Sequence, residues 1–125
     1  GVLAQRLIRV LCDTCKKPLK ITDFHRNLIG ADTVIPSDAT IFEPNGCARC
    51  NGTGYSGRTC VAELMLITDE VRSLILKQAD SSSIKKMAVK QGMETLRHAA
   101  LHKVFTGISS IDELVRAINA EENVD

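Results

Sequence analysis

The chain has 125 residues, 44% of them hydrophobic and 25% charged, with a formal net charge of +1. That is ordinary globular composition, and the near-neutral balance supplies no whole-molecule field that would favour nucleic acid. No apolar run reaches the length of a membrane span, and four aromatic rings (Phe24, Phe42, Tyr55, Phe105) are too few for a base-stacking platform.

The chain opens on an apolar segment with no polar lead-in and no signal peptide, as expected of a piece of a longer protein. Val2 to Leu11 carries Gln5, Arg6 and Arg9 among apolar residues. Helical spacing and a strand buried on both faces fit it equally, and periodicity does not separate them.

Two cysteine knuckles follow, Cys12-Asp13-Thr14-Cys15 and Cys47-Ala48-Arg49-Cys50, with 31 residues between Cys15 and Cys47. Two such turns face to face make a tetrahedral thiolate cage, so Cys12, Cys15, Cys47 and Cys50 are the expected ligands of structural zinc. A closed cage leaves no open position for water or substrate, which argues against chemistry at these thiols. Two disulfides and unligated thiols are the alternatives. Knuckles held for metal suit a reducing, cytoplasmic setting. Between them, Thr22-Asp23 is expected to cap a short helix ending near Gly30, and Thr40-Ile41-Phe42 a short strand before Pro44. Asn51 to Gly57 is dense in glycine and reads as a turn. Part of it continues CxxC into a CxxCxGxG string, but a chaperone zinc domain of that type needs four copies, and this chain has one. A phosphate-cradling loop would need a following helix with lysine and Ser/Thr, whereas Arg58 leads into a strand.

Arg58 to Ile67 has strand character from Thr59 and Val61 into Leu64-Met65-Leu66. Beyond it the pattern turns helical. Thr68 or Asp69 caps one helix with Val71, Leu74 and Ile75 inward; Ser81 to Ser83 cap a second burying Ile84, Met87 and Ala88. A third is expected from Met93 to Phe105 around Leu96, Ala100, Leu101 and Val104. Ser110-Ile111-Asp112-Glu113 is a capping box for a fourth with Ile111, Leu114, Val115 and Ile118 inward. The acidic tail from Glu121 is expected to fray. The fold class expected is α+β: a small zinc-stapled module inserted between two paired strands and followed by a small helical bundle. The antiparallel pairing of 2–11 with 58–67 makes the metal segment an overgrown hairpin loop, one too long to hold without a staple.

The longer string Val2-Leu3-Ala4-Gln5-Arg6-Leu7-Ile8-Arg9, Leu11-Cys12-x-x-Cys15, Gly46-Cys47-x-x-Cys50, Thr53-Gly54-Tyr55-x-Gly57-Arg58 and Glu63-Leu64 closely resembles the C-terminal region of the ATPases that power type II secretion and type IV pilus assembly. The resemblance covers essentially the whole chain, more loosely after Gly92. It implies that 1–11 and 58–67 are flanking strands from the end of an ATPase core, 12–57 a tetracysteine zinc module and 68–125 a helical C-terminal domain. It also implies a hexameric parent, with neighbouring subunits, an inner-membrane platform and cytoplasmic linker proteins as partners. Such a parent would be cytoplasmic and peripheral at the bacterial inner membrane, with no insertion of its own. GxxxxGK[ST], a Walker-B-like strand and the histidine motif of such cores are all absent, so no catalytic residue carries over. The expectation is a non-catalytic fragment, with ATP and Mg²⁺ confined to the parent core.

The remaining candidates carry less. His25 could stand in as a ligand, but four cysteines already fill a zinc shell. His98 and His102 share a helix face without the Glu of HExxH, and a solvated face is the simpler reading. Cys60 reads as a small buried hydrophobe. Arg6, Arg9 and Arg58 are expected to pair with Glu63 and tie the flanking strands together. Lys77, Lys85, Lys86, Lys90, Arg97 and Lys103 outnumber Asp80 and Glu94, a solvated face or a docking surface for an acidic partner. The competing function is a stand-alone zinc-ribbon module for nucleic acid or protein, which the charge balance disfavours. A thiol oxidoreductase would want a βαβ context that is missing.

Overall fold

The computed structural model describes residues 1–30 and 33–122, so the tail expected to fray lies largely outside them. In chain order the elements are β1 (Val2–Leu11), β2 (Lys17–Pro18), α1 (Asp23–Ile29), β3 (Phe42–Glu43), β4 (Tyr55–Met65), α2 (Asp69–Leu76), α3 (Ser81–Lys90), α4 (Leu96–Phe105) and α5 (Ile111–Glu122). The fold is α+β, with two small antiparallel sheets, β1–β4 and β2–β3.

The ambiguity over residues 2–11 resolves as a strand. It runs antiparallel to β4, from Val2 opposite Met65 to Arg9 opposite Arg58. Register then shifts between Arg9 and Leu11, and Leu11 faces Tyr55. This irregularity draws Tyr55-Ser56-Gly57 into the strand, so the turn expected over 51–57 ends at Gly54. β2 and β3 pair Lys17 with Glu43 and Pro18 with Phe42, one to two residues later than the strand expected at 40–42.

Directly opposite residues of an antiparallel pair share a face. One face of the ribbon carries Ile8 and Val61, buried under α4 and α5. The other carries Leu3, Leu7 and Leu64, which are 56%, 56% and 52% exposed. Cys60 lies opposite Leu7 on this second face and is exposed, which corrects its reading as a buried hydrophobe.

A single core joins the pieces. It takes Ile8 and Val61 from the ribbon, Ile29 and Ile41 from the segment between the strands, and Leu96, Leu101, Val104, Ile111 and Leu114 from the last two helices. α4 packs on β4, α5 on β1 and α1, and α2 on α3. The helices therefore do not assemble as a separate bundle; two of them form the layer that covers the ribbon. Thr68, Asp80 and Thr95 cap α2, α3 and α4 by accepting the N–H of Val71, Ser83 and His98 at 3.3, 2.9 and 3.1 Å. α4 starts at Leu96 rather than Met93, its first N–H donated to the Glu63 carboxylate at 3.0 Å. Ile75, expected inward, is 43% exposed, whereas Val71 is buried and Leu74 half-buried.

Candidate metal centre

Each knuckle is a tight turn that brings its two sulphurs to one side. In the first, the N–H groups of Cys15 and Lys16 donate to the Cys12 carbonyl at 3.3 and 3.0 Å. In the second, Gly52 N–H donates to the Cys47 carbonyl at 2.8 Å and Thr53 N–H to that of Cys50 at 3.2 Å. The ribbon sets the two turns face to face, since Cys12 directly follows β1 and Gly54 directly precedes β4. Cys12 N–H donates to the Gly54 carbonyl at 3.0 Å and closes the junction. Arg49 reaches across to the Thr14 hydroxyl at 3.2 Å, a tie between knuckles that the sequence reading did not anticipate.

The four sulphurs lie within 4.8 Å of one another. Cys12 and Cys47 are 3.8 Å apart, Cys15 and Cys50 3.8 Å, and Cys47 and Cys50 3.7 Å. These separations are far from a disulfide bond of about 2 Å. They match the edge of a sulphur tetrahedron around zinc, about 3.8 Å for Zn–S bonds of about 2.3 Å.

Main-chain donors converge on the same sulphurs. Gly46 N–H donates to Cys15 Sγ at 3.2 Å, and Cys47 and Gly54 N–H groups donate to Cys50 Sγ at 3.3 and 3.2 Å. Gly54 is buried at a φ of +83°, and a Cβ there would stand 2.6 Å from Pro44 Cβ. Only glycine lets the chain pass this close to the sulphur and still donate to it.

The thiols do not ionise alike. Burial pushes Cys50 up, but the Gly54 and Cys47 N–H groups outweigh it and lower the thiol to about 6. Cys12 is lowered too, its burial overcome by the main chain of Thr14 and Cys15. Cys15 is pushed up to about 11, first by burial and then by the neighbouring sulphurs, against the Gly46 N–H. Four thiolates this close repel one another unless a cation sits among them.

The other candidates fall elsewhere. His25 Nδ1 accepts the Thr22 N–H at 3.1 Å and so serves the start of α1. His98 faces Glu94 at 3.2 Å on an exposed surface, and among the described residues the only metal-competent cluster is the four cysteines. Glu63 faces Lys85 at 3.8 Å and accepts the Leu96 N–H at 3.0 Å. Arg9, expected to pair with Glu63, pairs with Glu113, its Nε donating at 2.9 Å and its main-chain N–H at 2.8 Å. Glu113 is 1% exposed and also takes Arg116 at 2.7 Å. Burial raises this carboxyl, yet the Arg116 and Arg9 donors carry it down to about 2. Arg97, counted with the basic surface, donates to the Ile29 carbonyl at the end of α1 and to Thr33 Oγ1. Lys16 links the first knuckle to the end of α4 by donating to the Gly107 carbonyl at 2.9 Å.

Fold and site together define a small α+β unit whose paired strands lead into a four-thiol cluster. The family model "Type II/IV secretion system protein" matches residues 1–116, and the chain belongs to that family. It is 38% identical over 121 residues to the type II secretion system protein E of Dickeya dadantii, covering 97% of this chain and 23% of that protein. It is 36% identical over 115 residues to the type IV pilus assembly ATPase PilB of Thermus thermophilus, covering 92% of this chain and 13% of that protein. The type II secretion system ATPase E of Vibrio cholerae is 36% identical over 116 residues, covering 93% of this chain and 22% of that protein. The chain thus spans between about an eighth and a quarter of the length of these relatives.

Proposed function

We propose that this chain is a non-catalytic portion of a hexameric motor ATPase for protein secretion or pilus assembly, and that Cys12, Cys15, Cys47 and Cys50 hold one structural Zn²⁺. The observation that carries the zinc assignment is the S···S spacing of 3.7–3.8 Å with three main-chain donors on the sulphurs. Bound there, zinc would neutralise the thiolates and cross-link the two knuckles. Gly46, Cys47 and Gly54 fix the sulphur positions through their N–H groups, and Lys16 and Arg49 brace the knuckles from outside.

The motor assignment rests on family membership and on relatives named as ATPases of type II secretion and type IV pilus assembly. The sequence holds no GxxxxGK[ST], so nucleotide hydrolysis, ATP and Mg²⁺ are assigned to the rest of a longer protein. In this reading residues 1–11 and 58–67 belong to the ATPase core, 12–57 form the zinc module and 68–125 the helical end. The apolar face of Leu3, Leu7 and Leu64 is then where the core continues. Neighbouring subunits, the membrane platform and cytoplasmic linker proteins are the partners, with the motor cytoplasmic at the inner membrane.

Chromosomal replacement of Cys12 and Cys47 by serine in the source organism tests the assignment. The expected result is loss of zinc from the purified protein together with loss of secretion or of surface pili. Unchanged secretion and piliation with zinc absent would overturn it.

A further inference from the structure

Arg9 and Arg58 are directly opposite in the β1–β4 ribbon, so two cations share one face. Arg9 donates its N–H to Glu113 and its carbonyl accepts from Ser109, both away from β4. The pair is therefore of the non-hydrogen-bonded kind, in which opposite side chains approach most closely. Like charges so placed repel. Arg9 is partly compensated by Glu113 and lies over the Tyr55 ring, 4.1 Å from its centroid. Arg58 is exposed, and among the described residues no carboxylate pairs with it. In front of the two lies a shallow cavity of about 480 Å³ lined by Arg9, Thr53, Tyr55, Gly57 and Arg58.

We infer that this cavity is a carboxylate-binding site that receives an acidic side chain presented by another polypeptide segment. The local charge favours a monoanion: Arg9, Arg58 and Arg116 stand against Glu113 and Asp112, whose fields both reach Tyr55. One negative charge neutralises that excess, and a dianion would exceed it. The guanidinium of Arg58 offers a planar fork matched to a carboxylate. The Tyr55 hydroxyl is already engaged with Ser110 at 2.7 Å, so the ring serves as a platform for Arg9 and leaves recognition to the arginines. The cavity is open, which suits a side chain arriving on a protein surface better than an enclosed small molecule.

Titration of the zinc-loaded chain with N-acetylglutamate N-methylamide, followed by the Nε–Hε resonances of the arginines at constant ionic strength, tests the site. The expected result is a saturable shift confined to Arg58 and Arg9. Arg58→Gln should remove saturation while the rest of the spectrum is kept. Arg58→Lys, which retains charge without the fork, should weaken binding about tenfold, the worth of one charge-assisted hydrogen bond. A linear shift equal to that given by chloride would overturn the site, as would saturation unchanged in Arg58→Gln. Tighter binding of inorganic phosphate than of the carboxylate would overturn the choice of ligand.

Discussion

Gly54 shows how one residue serves both the backbone turn and the thiol cluster. Its N–H lowers the Cys50 thiol, its φ of +83° excludes most side chains, and Pro44 occupies the space a Cβ would need. Gly54→Ala is expected to cost roughly 2 kcal/mol or more and to speed transfer of zinc to a chelator, read by urea denaturation and by competition with a chromogenic ligand. Glu113 makes a separate prediction about pH. Its carboxyl lies at about 2 in the folded chain against an ordinary 4.5, so its stabilisation is complete above about 4.5 and is lost as pH falls toward 2. The difference amounts to roughly 3 kcal/mol, and Glu113→Gln should flatten the stability profile across that window. Equal acid sensitivity in wild type and variant, measured by denaturant titration, would contradict the assignment.

At the scale of elements, the start of α5 shows what was legible and what was not. Ser110 was expected to cap the helix and does, accepting the Glu113 N–H at 3.2 Å. The Glu113 carboxylate, the other member of the expected capping box, is engaged by Arg9, 104 residues away, and by Arg116. Local spacing finds caps, while a long-range ion pair leaves no local pattern. The same limit explains Cys60: both faces of a strand rich in small and apolar residues look alike until the partner strand sets the register. The clustering of the cysteine knuckles, by contrast, was readable, because each CxxC turn sets two sulphurs on one side and the paired strands on either side bring the turns together. Ser110 also bonds the Tyr55 hydroxyl at 2.7 Å, joining α5 to β4. Ser110→Ala and Tyr55→Phe should each cost about 1 kcal/mol, and the double variant less than the sum, since each single change leaves a partner unmet. Strict additivity in a double-mutant cycle would mean that the contact carries no energy.

For the whole molecule, the consequence of a shared core is that metal loss should not stay local. Ile29 and Ile41 from the segment between the knuckles pack with Leu101, Val104 and Leu114 of the last two helices. The sequence suggested a metal module separate from a helical end. The packing implies instead that removing zinc with a chelator exposes amides in α4 and α5 as well as in residues 12–54, with the α2–α3 pair least affected. Hydrogen exchange would resolve this, and protection lost only between the knuckles would contradict the shared core. Every role proposed for the knuckles depends on the four sulphurs holding one zinc ion. Zinc K-edge X-ray absorption of the purified chain measures that directly. One zinc per chain with four sulphurs at about 2.3 Å is the predicted result. Disulfide-linked cysteines, or a zinc shell containing nitrogen or oxygen in place of a thiolate, would contradict it.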